Sequence, residues 1–424
     1  MTESLLHYLW KFRLFNNQGL QTKSGEPIEV LHPGIHNTNS GPDFFNAKIK
    51  IGNKTWAGNI EIHVDGKDWY THRHHKDAAY KNVILHVVLH TSSTYVECLE
   101  NTTIPCVELQ NNIAQNLLAQ YQNLMDNQLP FPCAASVANT NELIKKNMLE
   151  RASIERLESK INHIERLLKN SNGNWEQVCW QLMARYLGSG IHGDALEQTA
   201  TQIPLKIIAK HYGNTTQIEA LIFGVAGLLQ ETFTDDYPIL LKREFNYLKQ
   251  LHQLPTLNAG IFKWAKTRPA NFPTIRLAQL AALANAAQSL FSKLLESNIY
   301  FLTPFLHSLD VNTYWKTHFR FNEAAENKFT RIGKNTQQIL AVNAVAPLLF
   351  AYGRNTGNEL MVEKSLDILR QFPPEKNATT NLYKQYGFTA ESALDTQGIL
   401  QLNHTYCLPK KCLNCSIGNH IMQS

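Results

Sequence analysis

The chain has 424 residues, 43% hydrophobic and 18% charged, with a net charge of +5. This is ordinary globular composition: it excludes a disordered or fibrous protein, is long enough for two cores, and permits contact with a polyanion without requiring it. The first fifteen residues carry Glu3, His7, Lys11 and Arg13 with no cleavage site after them, and no run approaches the ~18 apolar residues of a membrane span, so neither a signal peptide nor a membrane span is expected, and a cytoplasmic location is.

Thr2 can cap a helix in which Leu5, Leu6, Leu9 and Phe12 recur at helical spacing, with Asn16 to Gly19 as its stop. Pro27 to Leu31 is a strand candidate, and His32-Pro33-Gly34 with Asn37 to Gly41 forms a loop of turn formers. Phe44 to Ile51 and Trp56 to Val64 then read as a hairpin around Gly52-Asn53. Asp68 to Asn82 predicts a short helix, Val83 to Leu89 a strand buried on both sides, Thr103 to Leu109 a further strand and Asn112 to Asp126 a helix.

Within the hairpin, Asn59, Glu61, His63 and Asp65 alternate against Ile60, Ile62 and Val64, so Glu61 and His63 share one face. Asp43 at the mouth of the partner strand completes the outline of a metal site. The register decides whether it does: a two-residue turn at Gly52-Asn53 puts Asp43 opposite Ile62, pointing away from Glu61. Gly58 in the strand interior predicts a bulge that flips the parity and brings Asp43 opposite His63; an odd-length turn would do the same.

The order helix, three strands, short helix, strand, with Pro42-Asp43 opening the second strand and Glu61-Ile62-His63 on the third, resembles the PD-(D/E)XK nuclease superfamily. From Gly41 through Trp56, Trp69, His72, His74, Tyr80 and Leu85-His86-Val87-Val88 the chain also resembles a family of uncharacterised bacterial proteins known as a domain of unknown function. The nuclease resemblance implies a Mg2+ or Mn2+ ion held by Asp43 and Glu61, with the carbonyl of Ile62 as third ligand and Glu3 as an additional acid. Its lysine is replaced here by His63, which leaves open an active variant with His63 handling the proton, an altered metal preference, or an inactive protein that only binds nucleic acid. A second reading starts from His32, His36, His63, His72, His74, His75, His86 and His90, eight of seventeen histidines crowded into a short stretch. Imidazole suits zinc, manganese or iron better than magnesium, which allows a transition-metal hydrolase on a substrate other than nucleic acid.

Pro130-Phe131-Pro132 marks the expected boundary between a nuclease-like domain over 1–130 and a helical domain over 137–400. In the latter, Ile154, Leu157, Ile161, Ile164 and Leu168 form an apolar seam, either one helix of a bundle or a homodimer contact. Trp175 to Leu187, Gln217 to Leu229, Ile275 to Leu295 and Thr336 to Phe350 continue as helices, and Arg151, Arg185, Arg268 and Arg276 are candidates for a phosphate-binding surface. The predicted fold class is therefore α+β, an N-terminal mixed β-sheet flanked by helices followed by a larger all-α domain, and the predicted function is metal-dependent phosphodiester hydrolysis on DNA or RNA, with an inactive nucleic-acid-binding or structural protein as alternative.

The tail, 401–424, is expected to pack on the helical domain. His404, Cys407, Cys412 and Cys415 combine a C-x2-C pair, a third cysteine and an H-x2-C step, a Cys3His donor set for structural zinc, with His420 in reserve. The rival is an iron–sulfur cluster, whose fourth thiolate would come from a distant residue such as Cys179. Lys410 and Lys411 between the cysteines offer charge to a phosphate backbone.

Overall fold

Thr2 opens the first element as the sequence predicts. Its hydroxyl accepts the N–H of Leu5 at 3.4 Å, Glu3 sits in the first turn, and α1 runs Glu3–Phe12 until Arg13 takes the left-handed conformation that ends it. Leu5, Leu6 and Leu9 on one face are buried. The structure, a computed structural model, describes residues 1–298, 300–325 and 330–424.

Seven strands follow: β1 (Ile28–His32), β2 (Ile35–His36), β3 (Phe44–Ile51), β4 (Lys54–Asp65), β5 (Val83–His90), β6 (Tyr95–Glu97) and β7 (Thr103–Glu108). They form one mixed sheet in the order β1-β3-β4-β5-β7-β6, with β2 paired to β3. β3 runs antiparallel to β1 and β4, whereas β4, β5 and β7 are mutually parallel neighbours. A parallel step from β4 to β5 needs a crossover; it is made by α2 (Asp68–Thr71) and two 3-10 turns, His74–Lys76 and Ala78–Tyr80. α3 (Gln115–Asp126) and α4 (Glu142–Asn170) follow the sheet.

The hairpin turn has two residues, since Ile51 pairs with Lys54. Ala47 pairs with Gly58 but Phe44 with Ile60, so one extra residue enters β3 between them. Asn46 supplies it, with φ 56, and its effect shows in burial: Phe44 and Ala47, three apart, both face the core. One step beyond Phe44, Asp43 comes opposite Glu61 and shares its face. The predicted parity flip is present, but it lies in β3 rather than at Gly58 and sets Asp43 against Glu61 rather than His63. Gly58 has another cause: a Cβ there would lie 2.4 Å from Ile84 Cγ2 and 2.6 Å from the Asn82 carbonyl, so β5 could not approach.

The chain divides into Met1–Met148 with Leu402–Ser424, and Leu149–Gln401. The expected break near 130 lies inside the first unit because Phe131 and Val137 are core residues. The tail belongs to that unit too: its helix Ser416–Gln423 packs on α3, and its Cys412–Asn414 turn on α1.

The second unit is helical. Trp175–Leu187 forms as predicted, but Ile275 to Leu295 is cut by Ser289, in the left-handed region, into Pro273–Ala286 and Leu290–Glu296. The predicted Thr336 to Phe350 helix carries a π-turn at Ala341–Val345, where Pro347 withholds an N–H from the helical ladder. Leu157 and Ile164 of the seam are buried in this unit's own core, with Ile154, Ile161 and Leu168 packed against it, so the seam is a bundle face. Among the described residues, no helix is long and apolar enough to cross a membrane.

Candidate metal centre

The bulge at Asn46 produces an interlocked pair. Asp43 Oδ2 accepts the main-chain N–H of Ile62 at 2.9 Å, and the main-chain N–H of Asp43 donates to Glu61 Oε2 at 3.2 Å. Each carboxyl is thus fixed by, or fixes, the backbone of the opposite strand. Glu61 lies within β4 and Asp43 one residue before β3, and a strand holds such a group more rigidly than a loop does.

α1 packs against β4 and adds two groups one helical turn apart. His7 Nε2 lies 3.3 Å from Asp43 Oδ2 and 3.7 Å from Glu3 Oε1. The crossover adds His72 and His74. It is anchored by fully buried Trp69, whose indole N–H donates to the Glu97 carbonyl at 2.9 Å, and Arg73, left-handed at φ 63, reverses the chain between the two histidines. His74 Nε2 lies 3.2 Å from Glu61 Oε1, and His63 Nε2 lies 3.6 Å from the same oxygen and 3.2 Å from His72 Nδ1. Behind it, His63 Nδ1 meets His86 Nε2 at 2.9 Å, and His86 Nδ1 faces Cys106 Sγ at 3.7 Å.

Two groups result. The donor atoms of His63, His72 and His74 lie within 4.8 Å of one another, as do those of Glu3, His7 and Asp43. Glu61 joins them, one oxygen on the histidine side and the other on the Asp43 backbone.

Electrostatics follows from this crowding. Burial first, then the Asp43 charge, push the Glu61 carboxyl up to about 9. Burial, then His86, His74 and His72, take His63 down to about 2, and burial followed by His74 takes His86 to about 3. His63 and His86 are therefore neutral, the form in which imidazole ligates metal, while two carboxyls sharing one pocket resist a second negative charge. A divalent cation would remove that resistance, and the mixed oxygen and nitrogen donors suit manganese or zinc better than magnesium.

His7 also lines a groove of ≈ 390 Å³ whose wall carries three lysines, Lys11, Lys410 and Lys411, among aromatic and neutral polar side chains. A family model described as a protein of unknown function (DUF2851) matches residues 3–378. The chain belongs to the DUF2851 family. No curated protein and no solved structure matches it. The stretch matched to DUF2851 takes in both donor groups and stops short of His404 and the C-terminal cysteines.

Of the residues singled out in the sequence, Glu3, Asp43, Glu61 and His63 do come together, and His72, His74 and His86 join them. Other histidines do not: His32 Nδ1 accepts the Gly34 N–H, His75 packs on the Tyr70 ring, and His90 faces Asp65 at 3.6 Å in an exposed position. Of the four arginines, Arg151 pairs with Glu155, Arg185 with Asp194 and Glu197, and buried Arg276 with Asn271 and Gln279. His7 was missed, although its i,i+4 spacing from Glu3 was a readable signal. Tyr80, one of the residues that carry the resemblance to the uncharacterised family, brings its ring to 3.9 Å from that of His74. In the tail, Cys407, Cys412 and Cys415 are buried while His404 is exposed, and Cys179 lies in the core of the helical unit.

Proposed function

We propose that this protein is a metal-dependent phosphodiesterase acting on nucleic acid. The reading rests on one observation above the rest: Asp43 and Glu61, eighteen residues apart in sequence, are locked onto one sheet face beside Glu3, His7 and three imidazoles. Bound there, a divalent ion would lower the pKa of a water and neutralise charge on a phosphate. Asp43, Glu61 and His74 would hold it, with His63 oriented by the His86 ring behind it, as ligating histidines generally are. His7, neighbouring Asp43 and opening onto the groove, is placed to take a proton from water or give one to a leaving oxygen. Lys11, Lys410 and Lys411 give the groove the charge that a phosphate backbone needs. The element order α1, strands, crossover, β5 is also the one that the nuclease resemblance implies.

A transition-metal hydrolase on another substrate draws on the same imidazoles, and an inactive binding protein on the same groove. One assay separates the three: end-labelled DNA and RNA, and separately a small aryl phosphodiester, incubated with Mg2+, Mn2+ or Zn2+ and either wild type or Asp43→Asn. Metal-dependent cleavage of a polynucleotide, lost in the variant, supports the proposal. Cleavage of the aryl ester alone favours the other hydrolase, and retained polynucleotide binding without any cleavage favours the inactive protein.

A further inference from the structure

The three tail cysteines acquire a fourth neighbour that their spacing does not announce. Cys133 follows Pro130-Phe131-Pro132, after α3, and belongs to the same unit as Leu402–Ser424. One groove shows the two segments face to face: Pro132, Ala135 and Ser136 line it together with His420 and Ile421 of the C-terminal helix. That helix packs on α3, and the Lys410 ammonium donates to the Met125 carbonyl, tying the loop between the cysteines to the end of α3.

The tail backbone is folded around its sulfurs. The π-turn Asn403–Cys407 is followed by a bond from the Lys411 N–H to the Tyr406 carbonyl at 2.7 Å, and the C-x2-C turn is closed by the Cys415 N–H on the Cys412 carbonyl at 3.1 Å. Gly418 lets the last helix lie against that turn, since a Cβ there would come within 2.2 Å of the Cys412 carbonyl oxygen. Cys133, Cys407, Cys412 and Cys415 are only 8%, 9%, 6% and 6% exposed. Cys133 lies near enough to the sulfurs of Cys407, Cys415 and Cys412 to interact with each of them, so the four share one neighbourhood. His404, exposed on the π-turn, does not share that burial, and Cys179 belongs to the other unit.

Four thiols gathered from two distant segments are a donor set for a thiophilic metal centre. We propose that Cys133, Cys407, Cys412 and Cys415 form a tetrathiolate site for a zinc ion or an iron–sulfur cluster. The centre staples Leu402–Ser424 to the Cys133 segment, and so holds Lys410 and Lys411 in the wall of the groove beside His7. It is independent of the phosphodiesterase reading.

The test is metal and acid-labile sulfide analysis of the full-length protein purified without oxygen, with Cys133→Ser, His404→Ala and Cys179→Ser variants beside wild type. One zinc per chain in colourless protein, or iron with matching sulfide in brown protein, is expected in wild type, His404→Ala and Cys179→Ser, and its loss in Cys133→Ser. Wild type with neither metal, or Cys133→Ser that keeps it while His404→Ala loses it, overturns the proposal. Should Cys133→Ser misfold, the wild-type protein still decides. Titration with a mercurial must release the metal as the four thiols react, identified by alkylation and peptide mapping; release without protection of Cys133 beforehand counts against it.

Discussion

The main-chain N–H of Asp43 donates to Glu61 Oε2 at 3.2 Å while the side chain of Asp43 accepts the N–H next to Glu61, that of Ile62, at 2.9 Å. This reciprocal bond makes the two carboxyls one unit. Asp43→Asn preserves the shape but removes a charge that a cation would use. It is expected to weaken Mn2+ binding by about 100-fold or more while circular dichroism stays unchanged.

Asn46 carries the parity of the hairpin. A β-branched residue is poorly tolerated at φ 56, so Asn46→Val is expected to cost about 1–3 kcal/mol in denaturant unfolding, whereas Asn46→Gly is neutral or better. Deleting Asn46 restores the regular register, turns Asp43 to the opposite face and removes metal binding even where the sheet still forms.

Gly58→Val tests the reason given for that glycine. With Ile84 and the Asn82 carbonyl in the way, β5 must shift, and a loss of about 1–3 kcal/mol is expected, read as a lower midpoint in urea.

His86 meets the candidate donor His63 at 2.9 Å from behind, so its role is positioning. His86→Leu is expected to lower metal affinity by roughly 10–100-fold, and to leave the small-scale fold and the nucleic-acid affinity of the groove intact. Loss of groove binding together with metal would point to a collapsed core.

Most of the first unit was legible because its signals are local. Thr2, the alternation through Ile60, Ile62 and Val64, and the apolar run of β5 each define an element without outside help. The bulge was legible only as a need. Gly58 looked like its source because a glycine in a strand usually marks either a bulge or a close approach, and the sequence could not say which. The crossover histidines were visible as a cluster, but their convergence depends on Arg73 in the left-handed region and on Trp69 reaching Glu97. Neither the docking of the tail nor the neighbourhood of Cys133 could be read, since both join segments separated by more than 250 residues of chain.

The helical unit offers a pH test that does not involve the metal centre. Buried Glu219 accepts from Trp315 Nε1 at 3.0 Å and from the Tyr237 hydroxyl at 2.8 Å, and burial raises its carboxyl to about 7. The folded state therefore holds a proton that the unfolded state has released, so this contribution is complete below the ordinary glutamate range and is lost as pH rises through the folded value. Wild type is expected to lose up to roughly 3 kcal/mol between about pH 5 and pH 8 relative to Glu219→Gln, measured by urea unfolding at both pH values.

The most direct check on the central claim is calorimetric titration of Mn2+ into the full-length protein and its Asp43→Asn and Glu61→Gln variants at one pH. The account predicts saturable binding in wild type that both substitutions abolish, with an observed heat that varies with the buffer's ionisation enthalpy because binding releases a proton. Equal binding in all three proteins would contradict it.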